Sequence, residues 1–285
     1  MRTFTVEMNP DREVTLEAIL FDRALEYDGM PVVEDPRPAI IICPGGGYEM
    51  LSQREDNPAA VAFLRHGFNT FILRYSIREH ASYPNPLVDA ARAVRWVRAH
   101  AEDLGVDPAS IAVMGFSAGG HVTAMLGTQW QNAELQAAER AEYEALAGRG
   151  VDANAGLMEQ SSRPDAIIPA YAVFNFDWIA EESRLLHRAP TVDCIAGVSD
   201  STPPAFVWTT GEDEIVPPSQ SLRFVAAMAE AGVPFEYHHF AHGVHGLGVA
   251  DPLSNADRAT LPENAHAWVD LAARWLRATF EGNSS

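Results

Sequence analysis

The stretch SIAVMGFSAGGHVTAML, residues 110–126, decides the fold of this chain. It begins as an apolar strand pattern and passes at once into a run of small residues that suits a helix. Between the two patterns lies Gly-Phe-Ser-Ala-Gly, with Ser117 at its centre. A serine at a sharp strand-to-helix turn adopts a strained backbone, and only small neighbours permit so close a turn. The stretch therefore indicates either an ordinary tight turn or a nucleophile elbow that presents the Ser117 hydroxyl.

Strand and helix patterns alternate along most of the chain, which is typical of a parallel sheet covered by helices. Apolar runs predict strands at residues 39–43, 68–76, 110–116, 165–174, 203–211 and 233–240. Helical patterns occupy residues 57–67, 86–105, 117–130, 218–232 and 262–280. Because parallel strands need right-handed crossovers, we expect a doubly wound, mostly parallel sheet with helices on both faces. In the last helix, Pro262 is expected at the first helical position.

Residues 131–163 depart from this alternation. The segment is rich in Ala and Glu and then in Gly and Asn, and it is longer than the connection requires. It predicts either a surface helix with a flexible loop, or a small cap or a contact in a homo-oligomer. We expect one domain over residues 1–285, with this segment as a small insertion.

The composition argues against two classes of partner. The 285 residues are 47% apolar and 21% charged, and the formal net charge is −19. Nucleic acids and anionic membranes carry dense negative charge, so neither is expected to bind. The first residues lack an apolar run behind a basic start, and no long apolar run suggests a membrane span. We therefore expect a cytoplasmic protein with Cys43 and Cys194 reduced.

A serine nucleophile requires a base that is held by an acid, in the chain order Ser, Asp or Glu, His. The sequence HHFAHGVHG, residues 238–246, supplies four histidines. His238 and His239 lie within a strand pattern. His242 and His245 lie in the loop that follows, and His245 is the better placed to reach Ser117.

A metal site is the alternative use of these histidines. Neighbouring strand residues point to opposite faces, so His238 and His239 cannot share one site. No cysteine or HExxH motif accompanies them. We therefore expect neither a metal nor an organic cofactor.

The acid should follow the strand at residues 203–211. Glu212, Asp213 and Glu214 stand together just past that strand. A carboxylate there can hold the imidazole tautomer and stabilise the imidazolium. Spacing alone does not choose among the three.

The loop CPGGGYEM, residues 43–50, follows the first predicted strand. Its glycines allow a backbone N–H to approach a tetrahedral intermediate closely, so Gly46 and Gly47 are candidates for the oxyanion hole. The second donor would be the N–H of Ala118, the residue after the nucleophile. A phosphate-binding loop is disfavoured because no Lys-Ser/Thr pair or GxGxxG completes it.

Four motifs in order resemble the α/β-hydrolase superfamily, and within it the acetylesterase lineage that includes intracellular acetyl-xylooligosaccharide (xylan) esterases. They are Pro-Gly-Gly-Gly-Tyr at 44–48, Gly-Phe-Ser-Ala-Gly-Gly-His at 115–121, the segment 208–222 and Gly-Val-His-Gly at 243–246. The resemblance implies an α/β-hydrolase fold. It also implies that the acid lies four residues before Pro217, at Asp213. The base is implied to be His245 of the Gly-x-His-Gly loop, and His121 to be structural.

Together these residues predict a serine esterase that forms an acyl-enzyme. Ser117 would attack the ester carbonyl, His245 would take and return the proton, and Asp213 would orient His245. The resemblance implies a small-molecule substrate, an acetyl or other short acyl ester of a xylose-type sugar or oligosaccharide. Three bulky residues are expected to border the site and shorten an acyl pocket: Tyr48, Phe174 and Trp178.

Two kinds of alternative function remain open. A general short-chain carboxylesterase or an arylformamidase needs the same triad. A non-catalytic binding protein with the same fold would be expected to have lost a triad member, and none is missing from the sequence.

Overall fold

The computed structural model describes residues 1–23, 35–147, 149, 155–178, 192–255 and 261–283. Its strands are β1 (Arg2–Asn9), β2 (Val14–Leu20), β3 (Arg37–Cys43), β4 (Asn69–Arg74), β5 (Val106–Phe116), β6 (Ala166–Ala170), β7 (Ala205–Thr210) and β8 (Phe235–Phe240). Its α-helices are α1 (Asn57–Arg65), α2 (Asn85–Ala99), α3 (Ala101–Leu104), α4 (Ala118–Gln129), α5 (Ala133–Leu146), α6 (Ser219–Glu230) and α7 (Trp268–Asn283).

Within the described residues the strands form one sheet in the order β1-β2-β4-β3-β5-β6-β7-β8. The strands from β3 to β8 are parallel, whereas β1 pairs with β2, and β2 with β4, in antiparallel fashion. The six predicted strands are confirmed. The hairpin of β1 and β2 is not predicted by the sequence analysis. Half of the β1 residues are exposed, and its apolar residues alternate singly with polar ones, so this edge strand lacks the apolar run that indicates the others.

The order of the strands reverses between β3 and β5. These two strands are paired neighbours, although β4 separates them in the chain. In an open parallel sheet, ligands bind in the crevice at such a point, outside the carboxyl ends of the strands. The glycine loop that follows β3 and the serine that follows β5 both lie at this crevice.

The central strands of the sheet are buried on both faces. Ile41 of β3 belongs to the apolar cluster formed with α2, α4 and α6, whereas Ile40 and Ile42 belong to the cluster formed with α1 and α7. Successive strand residues point to opposite faces, so each face of β3 packs against its own layer of helices. The first cluster includes five residues that share one face of α2, namely Leu87, Ala90, Ala91, Val94 and Val97. The predicted doubly wound architecture is confirmed.

Several element boundaries differ from the predictions, and three of the differences have a clear local origin. The helix expected over residues 86–105 divides into α2 and α3 at His100, before Gly105 ends it with a φ of 70°. The last α-helix begins at Trp268, after a short 3-10 helix, so Pro262 is not its first residue. Strand β6 ends at Ala170 because Tyr171, with a φ of 33°, leaves the extended conformation. None of the described helices has the length and apolar character that a membrane span requires.

Helix α5 accounts for much of the described part of the segment 131–163. It is joined to α2 by ion pairs with little exposure to solvent. Arg95 Nε lies 2.9 Å from Glu139 Oε1, and Arg92 Nη1 lies 2.9 Å from Glu142 Oε1. Burial raises the pKa of Glu139, and Arg95 opposes that effect. A cap or an oligomer contact for this segment stays a prediction, as does the single-domain organisation.

Candidate active site

The turn between β5 and α4 has the conformation of a nucleophile elbow. Ser117 has φ 52° and ψ −114°, a conformation that costs a non-glycine residue about 1–3 kcal/mol. A Cβ at Gly115 would lie 2.0 Å from the carbonyl oxygen of Gly119. A Cβ at Gly119 would lie 2.1 Å from that of Cys43. Both glycines are therefore required by close backbone contacts, and Ser117 stands at the positive end of the α4 dipole.

Three predicted residues form one continuous chain of hydrogen bonds. His245 Nε2 lies 2.8 Å from Ser117 Oγ, and His245 Nδ1 lies 2.7 Å from Asp213 Oδ2. The other oxygen of Asp213 accepts from the backbone N–H of Ile215 at 3.0 Å and of Val216 at 2.8 Å. The carboxylate is thus an acceptor on both sides, which requires the hydrogen of a neutral His245 to be on Nδ1. Nε2 is then free to accept the proton of the Ser117 hydroxyl.

The structure distinguishes the three carboxylates that spacing leaves open. The side chain of Asp213 is fully buried against His245, whereas Glu212 and Glu214 are exposed. Glu212 accepts from the backbone N–H of Gly243 at 2.9 Å and contacts His242 Nδ1 at 2.9 Å. These two hydrogen bonds lower the pKa of Glu212. Glu212 therefore braces the loop that carries His245, and the geometry agrees with Asp213 as the acid.

The strand histidines lie apart from this chain of hydrogen bonds. His238 stacks on Phe206 with ring centroids 5.1 Å apart, and its Nε2 lies 2.7 Å from Glu236 Oε1. His239 is exposed. In the part of the chain that the structure describes, no three His, Cys, Asp or Glu side chains are grouped as metal ligands would be.

The loop after β3 places backbone donors beside the elbow. A Cβ at Gly45 would lie 3.1 Å from Ser117 Cβ, so the loop and the serine are in close contact. Gly46 has a φ of 126°, which a residue with a side chain rarely adopts. Among the described residues, no acceptor engages the N–H of Gly46, Gly47 or Ala118. These three groups are available to an oxyanion, and their role there stays a prediction.

Two of the three residues predicted to line an acyl pocket do not face one. Tyr48 is fully buried, and its hydroxyl lies 2.7 Å from His121 Nδ1. Phe174 is also fully buried and stacks on Phe224 with ring centroids 4.2 Å apart. Both segments border the site as expected, but packing draws these aromatic rings into the core. Trp178 ends a short 3-10 helix, and its side chain lies outside the described residues.

Two residues that the sequence analysis does not single out adjoin the triad. Val173 and Val216 pack together, and Phe176 packs against them. The backbone N–H of Val173 donates to the carbonyl of Ser117 at 3.3 Å, and the backbone N–H of Val216 donates to Asp213 Oδ1 at 2.8 Å. No motif indicates them, because their position depends on the paths of two loops.

His121 is a buried neutral histidine, in agreement with its expected structural role. Nδ1 accepts from the Tyr48 hydroxyl, and Nε2–H donates to the carbonyl of Val192 at 3.1 Å. Burial lowers its pKa to about 4 from an ordinary 6.5. The His121 ring thus holds Tyr48 against the first turn of α4, just after Ser117.

This shift predicts that acid destabilises the fold through His121. The unfolded chain takes up a proton near pH 6.5, whereas the folded protein resists protonation until about pH 4. Stability is therefore unaffected by His121 above pH 6.5 and falls by up to about 3 kcal/mol as the pH drops towards 4.

His121→Gln keeps both hydrogen bonds available but does not titrate, so we expect a flatter decline. Urea unfolding at several pH values measures it. Exposed His242→Gln is the control, and parallel declines for His121→Gln and the wild type would contradict the argument.

Comparison with known proteins adds relatives over most of the chain. A family model described as BD-FAE matches residues 30–228. Endo-1,4-beta-xylanase B of Butyrivibrio fibrisolvens is 33% identical over 227 residues, which are 75% of this chain and 33% of that protein. Two other curated relatives are covered over 54% and 41% of their own lengths, so this chain spans about a third to a half of these proteins.

Two solved structures match nearly the whole chain. MGS-M1, an alpha/beta hydrolase enzyme from a Medee basin deep-sea metagenome library, is 33% identical with a TM-score of 0.75, covering 99% of this chain and 98% of that one. The acetyl ester-xyloside bifunctional hydrolase of Caldicellulosiruptor lactoaceticus is 32% identical with a TM-score of 0.74, covering 95% and 89%. The predicted fold and lineage are confirmed by these matches.

Proposed function

The chain belongs to the BD-FAE family of α/β hydrolases, and from this premise we propose that it is a carboxylic ester hydrolase that works through an acyl-enzyme. The observation that carries the proposal is the hydrogen-bonded chain from Ser117 through His245 to Asp213. A binding protein with this fold would have no use for a strained serine, a buried carboxylate and an imidazole in this order. The geometry therefore favours catalysis over binding alone.

In the first half of the reaction Ser117 Oγ attacks the ester carbonyl as His245 Nε2 takes its proton. The tetrahedral intermediate collapses when the C–O bond to the alcohol breaks and His245 returns the proton to the leaving oxygen. In the second half His245 deprotonates a water, which attacks the acyl-enzyme; the bond from the acyl carbon to Ser117 Oγ then breaks, and His245 returns the proton to Oγ as the acid is released. Asp213 holds Nδ1–H throughout and stabilises the imidazolium.

The negative charge of both tetrahedral intermediates needs donors at a fixed position. We assign this role to the N–H of Ala118 together with that of Gly46 or Gly47. A preorganised donor of this kind is worth about 10²–10³ in kcat. The N-terminus of α4 adds its dipole to the same side.

The proposed substrate is a small molecule, an acetyl ester of a xylose-type sugar or oligosaccharide. The support is the likeness to a hydrolase whose name joins an acetyl ester with a xyloside, and to a xylanase. We assign the limit on the acyl group to Phe176, which is only partly buried and packs against Val173 and Val216 beside the triad, in place of Tyr48 and Phe174. General short-chain esters and N-formylkynurenine are the competing substrates.

A substrate series tests this proposal. We expect kcat/KM for an acetyl ester to exceed that for the octanoyl ester of the same alcohol by at least about tenfold, since one misplaced methylene costs about 1–3 kcal/mol. Acetyl, butyryl and octanoyl esters of one alcohol give the acyl preference. Acetylated xylooligosaccharides against N-formylkynurenine give the class of substrate. Octanoyl as the best acyl group would overturn the sugar-deacetylase assignment.

A further inference from the structure

A buried carboxylate outside the triad connects the loops that carry it. Glu55 is 3% exposed, in the segment between β3 and α1. Its Oε2 accepts from the backbone N–H of Gly45 at 2.9 Å, and its Oε1 accepts from the Tyr171 hydroxyl at 2.6 Å. The same hydroxyl accepts from the backbone N–H of Gly248 at 2.9 Å. One side chain thus joins the glycine loop, the end of β6 and the loop after His245.

Each end of this connection touches a predicted catalytic group. A Cβ at Gly45 would lie 2.6 Å from Glu55 Oε2 and 3.1 Å from Ser117 Cβ, so a single glycine separates the carboxylate from the nucleophile. The ring of Tyr171 packs edge-on against the imidazole of His245, with centroids 5.2 Å apart. Residue Ala170, directly before Tyr171, accepts from the backbone N–H of Ser117 at 3.1 Å.

The network requires a carboxylate at position 55. Two donors, the N–H of Gly45 and the hydroxyl of Tyr171, point at two different oxygens. A neutral amide offers only one acceptor oxygen and would turn its NH₂ towards the other donor. Burial raises the pKa of Tyr171 well above its usual range, so the hydroxyl stays protonated and donates a hydrogen bond to Glu55.

We propose that Glu55 is a positioning residue: through Gly45 it holds the N–H groups of Gly46 and Gly47 at the oxyanion position, and through Tyr171 it holds the ring of His245. This inference rests on the proposed ester hydrolysis. Neither Glu55 nor Tyr171 takes part in proton transfer. They position the oxyanion donors and the base, so their loss should weaken stabilisation of the transition state more than binding of the substrate.

The test is Glu55→Gln, measured by steady-state kinetics on a p-nitrophenyl acetate substrate. We expect kcat to fall about 10²-fold with KM changed by less than about threefold, because a displacement of 1 Å in such a site costs about that much. A trifluoromethyl ketone, whose hemiketal oxygen occupies the oxyanion position, should bind more weakly by a similar factor. Unchanged kcat and ketone affinity in folded Glu55→Gln would overturn the proposal.

Glu139→Gln is the matched control. Glu139 is also a buried glutamate that accepts from a tyrosine hydroxyl, that of Tyr143, at 3.3 Å, and it is paired with Arg95 of α2, outside the triad and its loops. We expect this variant to lose stability and keep kcat. If both variants lose kcat equally, loss of a buried carboxylate acts through the fold as a whole and the positioning role is wrong.

Tyr171→Phe keeps the proposal testable if Glu55→Gln does not fold. It removes the hydrogen bond from Tyr171 to Glu55, so we expect kcat to fall about tenfold. In the double variant with Glu55→Gln the further loss of kcat should be small, because the two residues act as one unit. A Tyr171→Phe variant with wild-type kcat would contradict the link to His245. Ser117→Ala in the same assay separates the two hypotheses. If it retains turnover, the proposed function fails; if it is inactive while Glu55→Gln is unaffected, only the positioning role fails.

Discussion

Replacement of Ser117 by alanine is expected to lower kcat by about 10⁴-fold or more while the protein stays folded. The change removes the Oγ atom that lies 2.8 Å from His245 Nε2, and with it the acyl-enzyme. Only oxyanion stabilisation and substrate binding would remain. Alanine also fits the tight turn between Gly115 and Gly119, so packing is not disturbed.

The measurement is turnover of an acetyl ester by the purified variant, with circular dichroism to show that it is folded. Ser110→Ala, in the same strand, is the matched control, because Ser110 hydrogen-bonds Asp107 at 2.6 Å and has no part in the triad. A serine-directed phosphonate should label Ser117 alone. Turnover near the wild-type level in a folded Ser117→Ala protein would remove the nucleophile assignment, as would labelling elsewhere.

The second large effect is expected at His245, where replacement by alanine should lower kcat by about 10³-fold or more, since among the described residues His245 is the base that hydrogen-bonds Ser117 Oγ. His242→Ala should change kcat by less than about threefold. The two histidines lie in one loop but in different surroundings. The side chain of His242 is 79% exposed and that of His245 is 14% exposed, between Asp213 and Ser117.

Kinetics of the two single variants on the same acetyl ester decide this prediction. Loss of activity in the reverse order would mean that the base is wrongly assigned. A chelator provides an independent check, and we expect it to leave activity unchanged. Activity that is lost to the chelator and restored by zinc would favour a metal site at these histidines, against the expectation from the sequence.

The sequence by itself determined the architecture and the place of the nucleophile. Periodicity is a local property, so the six parallel strands and their helices could be read from apolar runs. The elbow is local too, since Gly115, Ser117 and Gly119 lie within five residues and their small size is the reason the turn can form. The edge strand β1 escaped this reasoning because its apolar residues, Phe4, Val6 and Met8, alternate with polar ones and form no continuous apolar run.

The resemblance of four ordered motifs predicted Asp213 and His245 as acid and base, where spacing alone left three carboxylates. The structure adds the reason, because Asp213 alone of the three is buried against the imidazole. Tyr48 and Phe174 are predicted to line the acyl pocket because they are bulky residues near strand ends, and this prediction is wrong. A side chain at such a position can turn towards the crevice or towards the core, and only its neighbours decide which.

Only the tertiary structure decided which distant groups meet. Ser117 and His245 are 128 residues apart, and Glu55 and Tyr171 are 116 apart. Their hydrogen bonds exist because parallel strands bring their carboxyl ends to one edge of the sheet, in an order that reverses between β3 and β5. These contacts between residues far apart in the chain depend on the energy of the whole fold, and no local sequence pattern indicates them. No pattern marked Glu55, whereas its contacts with two loops show what it holds together.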